Sequence, residues 1–189
     1  LITQLERDQG LDAGMIDLIP IIETGKGLAA VENIAHAPHR VRRLSFGAGD
    51  FSLDMNIRWT MQEHELDYAR AKIATASRAA RLESPLDTVF IHLGVLEGLR
   101  SSSERARNFG FQGKLCIHPE QIEPVNQVFS PSSEEIEQAQ KYVDAFTAAE
   151  ASGSASIQVE GYFIDYPIVE KARRTLDVAK AIEQSRRRV

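Results

Sequence analysis

Short apolar runs alternate along the chain with longer stretches in which apolar residues recur every three or four positions. Leu18-Ile19-Pro20-Ile21-Ile22 and Leu44-Ser45-Phe46-Gly47-Ala48-Gly49 are runs of this kind, and their length and turn-bounded ends predict strands buried on both faces, as in parallel sheets. Leu86-Asp87-Thr88-Val89-Phe90-Ile91, rich in β-branched and aromatic residues, predicts a third strand, and Lys114-Leu115-Cys116-Ile117 a short fourth. A helix is predicted over 25–37, with Leu28, Val31, Ile34 and Ala35 on one face and Pro38 closing it. After a loop over 51–59, with Trp59 packing ahead of the next element, Thr60-x-x-Glu63 reads as a capping box that opens a helix to about Arg81. Further helices are expected over 96–109 and 120–129. Strand and helix in alternation form the βαβ pattern of a parallel sheet.

The ends differ from this repeat. Leu1 to Gly10 reads as the last turns of a helix stopped by Gly10, so the chain is expected to be a piece of a longer protein. Pro131-Ser132-Ser133-Glu134-Glu135 opens a helix to about Ala151, with a serine cap and acids in its first turn. Ser152 to Ser156 reads as a small-residue linker, Ile157 to Ile164 as a strand or hairpin, and Pro167 as the start of a helix to about Gln184. The expected organisation is therefore a strand–helix repeat over 1–151 and an appended segment over 152–189.

Composition narrows the partners. The 189 residues are 43% hydrophobic, enough for a proper core. A net charge of −5, with basic residues clustered only at Arg186-Arg187-Arg188, argues against nucleic acid. No apolar run approaches the roughly 18 residues of a membrane span, so no membrane partner is expected. The single cysteine, Cys116, excludes an intramolecular disulfide and fits a cytoplasmic enzyme.

Candidate chemistry sits where the first two apolar runs end. Each is followed by a carboxylate, Glu23 and Asp50, and acids at the carboxyl ends of successive parallel strands converge on one site. Two hard oxygen ligands suit Mg²⁺, which keeps waters and takes further oxygens from substrate. Either acid also suits a helix N-terminus, where it would satisfy free N–H groups. Gly47 and Gly49 allow close backbone approach beside the second acid. Lys114 and Cys116 read as structural, with Cys116 small and buried. His118 reads as a residue ordering its loop through a ring hydrogen bond. No Ser-His-Asp or Cys-His arrangement is evident.

Five segments in order carry a resemblance: Ile-Glu-Thr at 22–24, Phe-Gly-Ala-Gly-Asp at 46–50, Glu-Gly-Leu-Arg at 97–100, Gly-Lys-Leu-Cys-Ile-His-Pro at 113–119 and Ile-Asp-Tyr-Pro at 164–167. With them the chain resembles, over nearly its whole length, the citrate lyase β-subunit and malyl-CoA lyase family of the HpcH/HpaI aldolase superfamily. The resemblance implies an α/β fold, a β/α (TIM-type) barrel of which this chain supplies about the last four units plus a C-terminal helical extension. Residues 1–151 would then be barrel and 152–189 the extension, which in this family often lies over a neighbouring subunit. The resemblance also implies Mg²⁺ on Glu23 and Asp50, and Asp165 as catalytic acid or base. Asp165 equally suits a helix cap before Pro167. The implied activity is cleavage of a citryl-, malyl- or citramalyl-CoA type thioester into an acyl-CoA and an oxo acid, by a homo-oligomer, trimer or hexamer. A metal-dependent aldolase on free hydroxy-oxo acids and a non-catalytic acyl-CoA-binding relative are the alternatives. The family's substrate-holding arginine would lie in an N-terminal part outside this sequence. His92-Leu93-Gly94-Val95 departs from the acids that related chains often carry after the third strand.

Overall fold

The four apolar runs pair side by side in chain order as a parallel sheet. The computed structural model describes residues 1–37, 40–151 and 153–187; Pro38, Ser152 and Arg188, to which the sequence assigns a helix stop, a linker start and a basic tail, lie outside the described residues. The strands are β1 (Ile21–Ile22), β2 (Ser45–Phe46), β3 (Leu86–Asp87) and β4 (Gly113–Lys114). Ile22 lies opposite Phe46, Ser45 opposite Leu86, and Asp87 opposite Lys114. The strands are shorter than the apolar runs because the chain turns into helices almost at once beyond Ile22 and Phe46. Pro20, which has no N–H, separates β1 from an isolated parallel bridge between Leu18 and Val41.

The connecting helices are α1 (Ile2–Asp8), α2 (Gly25–Ala29), α3 (Val31–Ala35), α4 (Ala48–Asp54), α5 (Asp67–Ala79), α6 (Leu96–Asn108) and α7 (Ile122–Phe129). The helix expected over 25–37 is broken at Ala30, which joins α2 to α3. A helix, α4, stands where a loop was expected after Asp50. Ile22 and Phe46, neighbours in register, turn the same way and pack with Leu28, Val31, Phe51, Leu66 and Ile73 into the main core. Each such side chain contributes about 1.5–3 kcal/mol by leaving water. Side chains alternate along a strand, and Ile21 is accordingly 51% exposed on the opposite face.

Asp87 and Lys114 share the register of Ile22 and Phe46 and so also turn toward the helices. Asp87 accepts from Arg70 Nε at 2.9 Å and Nη2 at 3.0 Å, and from Lys114 Nζ at 2.6 Å. Glu63 accepts from Arg70 Nη2 at 2.6 Å and from the Ser102 hydroxyl at 2.8 Å. Two cations thus face two carboxylates in a buried, charge-balanced group, which lets the ions leave water. This corrects the capping-box reading. Thr60 does accept from Glu63 N, but the carboxylate returned to Thr60 belongs to Glu65. Glu63, at φ 56°, is turned inward to Arg70, and a single 3-10 turn (His64–Leu66) precedes α5.

Near the N-terminus, Glu6 binds Arg40 through two bonds of 2.6 Å and accepts from Gly14 N and Ile16 N. The Arg40 guanidinium and these N–H groups hold its carboxyl at about 2.

A second compact unit comprises Ser130–Val189, the first being Leu1–Phe129. It contains α8 (Ser133–Ala151), β5 (Ser156–Val159), β6 (Tyr162–Asp165) and α9 (Tyr166–Arg186). β5 and β6 form an antiparallel hairpin in which Val159 pairs with Tyr162. Glu160 and Gly161 both take positive φ, 50° and 86°, as a two-residue type I′ turn requires. Phe146 of α8 is buried with Ile164 and Val169. α8 thus groups with the hairpin and α9 in this unit.

Candidate metal centre

Glu23 is the first residue beyond β1. The cap of α2 is Thr24, whose Oγ1 accepts from Gly27 N at 2.9 Å, so Glu23 is not used as that cap. By strand alternation Glu23 lies on the face of Ile21, away from the core. Gly47, beyond β2, comes directly beside it, its N–H donating to Ile22 O at 3.0 Å. A Cβ on Gly47 would stand 2.8 Å from Glu23 Cβ, 2.9 Å from Ile21 Cγ2 and 3.0 Å from Glu23 Oε2. The glycine is therefore required by space: the Glu23 side chain occupies what a methyl would fill.

Asp50 lies three residues on, in the first turn of α4, with its side chain exposed. It does not end a strand, as the apolar run suggested. In that first turn an acid also interacts favourably with the helix dipole. α4 is tied to its surroundings at both ends: Thr88 Oγ1 accepts from Ala48 N at 2.9 Å, and Asp54 Oδ2 accepts from Gly25 N at 2.7 Å. Trp59 is placed 3.8 Å from where a Cβ on Gly49 would stand.

One carboxylate, Glu23, thus stands at the carboxyl end of β1 and another, Asp50, just past the end of the neighbouring β2. Among the described residues neither has a cationic partner, and no group of three or more His, Cys, Asp or Glu side chains could enclose a metal. Two carboxylates with open positions fit Mg²⁺, which is bound through one or two carboxylates plus waters and substrate oxygens.

Asp165 lies in the second unit. It caps α9, with Oδ1 accepting from Ile168 N at 3.3 Å, and Oδ2 makes no hydrogen bond among the described residues. His118 Nδ1 accepts from Glu120 N at 3.3 Å, the loop-ordering role expected of it. Cys116 is exposed as a residue, contrary to the sequence reading, although the partial burial of its thiol pushes its pKa up. Thr88 and Asp54 were not singled out from the sequence. Thr88 reads only as a β-branched strand residue; the spacing of Asp54, four after Asp50, was the one available signal.

A parallel strand–helix repeat with acids gathered beyond adjoining strands defines an α/β protein of the class that builds its sites at strand carboxyl ends. The match to the model described as HpcH/HpaI aldolase/citrate lyase covers residues 1–119, and the chain belongs to that family. It is 35% identical to the citrate lyase subunit beta of Leuconostoc mesenteroides subsp. cremoris over 96% of this chain and 60% of the relative. It is 31% identical to the L-malyl-CoA/beta-methylmalyl-CoA lyase of Cereibacter sphaeroides, over 96% of this chain and 62% of that protein. In structure it is similar to the protein CitE from Mycobacterium tuberculosis in complex with magnesium, acetoacetate and coenzyme A. The TM-score is 0.73 at 26% identity, over 87% of this chain and 61% of that one. The family and this likeness give the chain a TIM-barrel-like fold. The chain spans about 60% of the length of the curated relatives it matches. Among the described residues no helix is long and apolar enough to cross a membrane.

Proposed function

We propose that the chain is the part of a Mg²⁺-dependent carbon–carbon lyase that carries the metal ligands, acting on a 3-hydroxyacyl-CoA of the citryl-, malyl- or citramalyl-CoA type. The observation that carries this reading is the Glu23 side chain packed against Gly47, with Asp50 in the turn that follows. Glu23 and Asp50 would hold the ion. The relatives named for citrate and malyl-CoA cleavage, and the neighbour bound to magnesium and coenzyme A, support the same chemistry. When bound, Mg²⁺ would supply chelation of the hydroxy acid through its carboxylate and hydroxyl oxygens and would stabilise the charge developing on the hydroxyl oxygen.

In the cleavage direction the hydroxyl proton passes to solvent, its carbon becomes a carbonyl, and the carbon–carbon bond breaks toward the thioester. Asp165 enters the step protonated and is reprotonated from solvent afterwards, so one proton is released and one taken up. The electron pair left on the thioester's α-carbon takes a proton from Asp165, giving acyl-CoA and an oxo acid; in the reverse direction Asp165 removes that proton. As the α9 cap Asp165 uses only Oδ1 among the described residues, leaving the second oxygen for such transfer. The four parallel strands in chain order support the reading that the chain supplies the last four units of a β/α barrel. Residues 152–189 would then form an extension over the site of a neighbouring subunit in a cytoplasmic trimer or hexamer.

The test is release of acetyl-CoA from malyl-, citramalyl- and citryl-CoA with Mg²⁺ or EDTA, using the longest natural form of the protein. Metal-dependent release, lost in Glu23→Gln and in Asp165→Asn, is expected. Silence on all three thioesters by folded protein with Mg²⁺ bound would sink the lyase reading.

A further inference from the structure

α4 carries Asp50 but has no cap of its own. Gly47 precedes it, and no side chain at that position accepts from the first N–H groups. The cap comes instead from across the sheet. Thr88, directly after β3 and 1% exposed, accepts from Ala48 N through its hydroxyl. At the far end Asp54, four residues after Asp50 and so on the same side of the helix, accepts from Gly25 N, two residues after Glu23. Met55 closes on the same spot, its Sδ lying 2.6 Å from where a Cβ on Gly25 would stand. One helix is thereby fixed at its start to β3 and at its end to the segment that carries the other acid.

We propose that Thr88 and Asp54 are positioning residues for the divalent-cation centre, a two-ended clamp on α4 that sets Asp50 against Glu23. The proposal rests on the reading of Glu23 and Asp50 as the ligand pair. Its physical basis is the length of the tether: Asp50 is two residues from the Thr88 contact and one helical turn from the Asp54 contact. Loss of either bond frees one end of a helix of only seven residues. A Mg²⁺ site demands near-ideal oxygen geometry, so a small drift of one carboxylate is felt directly in affinity.

The test is Mg²⁺ titration of the full chain by calorimetry, read beside the fluorescence of Trp59, the one tryptophan, which lies next to Gly49. Circular dichroism confirms that each variant is folded at the titration temperature. Thr88→Val keeps the shape and removes the acceptor, whereas Thr88→Ser keeps the hydroxyl. Asp54→Ala removes the acceptor, whereas Asp54→Asn keeps an oxygen without the charge. By analogy with other groups that orient metal ligands, Thr88→Val and Asp54→Ala should each weaken Mg²⁺ binding about 10-fold, with Thr88→Ser and Asp54→Asn within about 3-fold of the unsubstituted chain. A purely structural role would lower the melting temperature and leave Mg²⁺ affinity of the folded chain unmoved. If Thr88→Val does not fold, the exposed Asp54 decides the question. Asp54→Ala binding as tightly as the parent would overturn the clamp, and so would Asp54→Asn binding as weakly as Asp54→Ala, since Asp54 would then act by charge. Binding lost in Glu23→Gln but kept in both clamp variants would remove the clamp and leave the ligand pair standing. No Mg²⁺ binding by the unsubstituted chain would overturn both.

Discussion

Replacing Asp87 with leucine removes one of two carboxylates from a group that has no water to fall back on. Asp87 receives three charged hydrogen bonds, from Arg70 Nε and Nη2 and from Lys114 Nζ, and the side chains of Asp87, Arg70 and Lys114 have no exposed surface. Burial alone would raise the Asp87 pKa, but Lys114 and Arg70 outweigh it and hold it low, so the group is an ion in the folded state. Without it, Arg70 keeps only Glu63, and Lys114 loses its one ion pair among the described residues. Removing one partner of a buried ion pair costs about 3–5 kcal/mol, a large part of the roughly 5–15 kcal/mol that stabilises a typical domain. At roughly 2–4 °C per kcal/mol for a chain of this size, that is a melting shift of roughly 6–20 °C. Lys114→Met is also destabilising. The double variant, however, leaves Arg70 paired with Glu63 and neutral overall, so it should be more stable than the sum of the two single losses by at least about 0.5 kcal/mol. Urea unfolding followed by Trp59, which packs on the main core, reads this unit directly. A loss below about 1 kcal/mol in Asp87→Leu, or strict additivity in the double variant, would refute the account of a charge-balanced buried group.

Glu6, with its folded pKa at about 2 against an ordinary 4.5, favours the folded state fully above pH 4.5, and that contribution fades as pH falls toward 2. Melting temperature against pH should therefore fall more steeply for the parent than for Glu6→Gln across that window, and parallel curves would contradict it. Gly47→Ala places a methyl 2.8 Å from Glu23 Cβ at a position of ordinary extended φ, so the expected effect is steric. It should destabilise by about 1–3 kcal/mol in urea and weaken Mg²⁺ binding in calorimetry; unchanged binding would show that the glycine does not shape the centre. Phe146→Ala should cost about 3–5 kcal/mol in the second unit, the usual range for an emptied aromatic core position. Hydrogen exchange in the β5–β6 hairpin should report it, and undiminished protection there would count against Phe146 as that unit's centre.

The parallel pairing of the strands was legible because short, mostly apolar runs alternate with helical patterns, a signal that survives even though Ser45, Asp87 and Lys114 stand within the strands and Ile21 is exposed. The position of Glu23 just past β1 was legible as a charge that follows such a run, whereas Asp50 falls inside α4 rather than at a strand end. What escaped depends on partners distant in sequence. Glu63 looks like a capping-box acid until Arg70 and Ser102 are seen to claim it, and Glu65 takes the local role. The start of α4 was hidden because its cap, Thr88, lies forty positions away, just past another strand. Ala30 gives no sign of ending a helix, yet the chain breaks there. The packing of α8 on the hairpin rests on Phe146, whose partners Ile164 and Val169 follow it by more than fifteen positions. The exposed Cys116 shows the limit of judging burial from residue type alone.

The buried ion group also bears on the order of events in folding. Its members come from five separate places, with Glu63 and Ser102 separated by 39 positions and Asp87 and Lys114 by 27. A charge surrenders its hydration favourably only when its counter-charges are already in place, so these bonds close after the helices have docked on the sheet. Interactions absent from the transition state govern how slowly the native chain comes apart rather than how quickly it forms. Stopped-flow traces of Asp87→Leu should accordingly show an accelerated unfolding limb over an almost unaltered refolding limb. The network would then act as a latch on the lifetime of the folded chain.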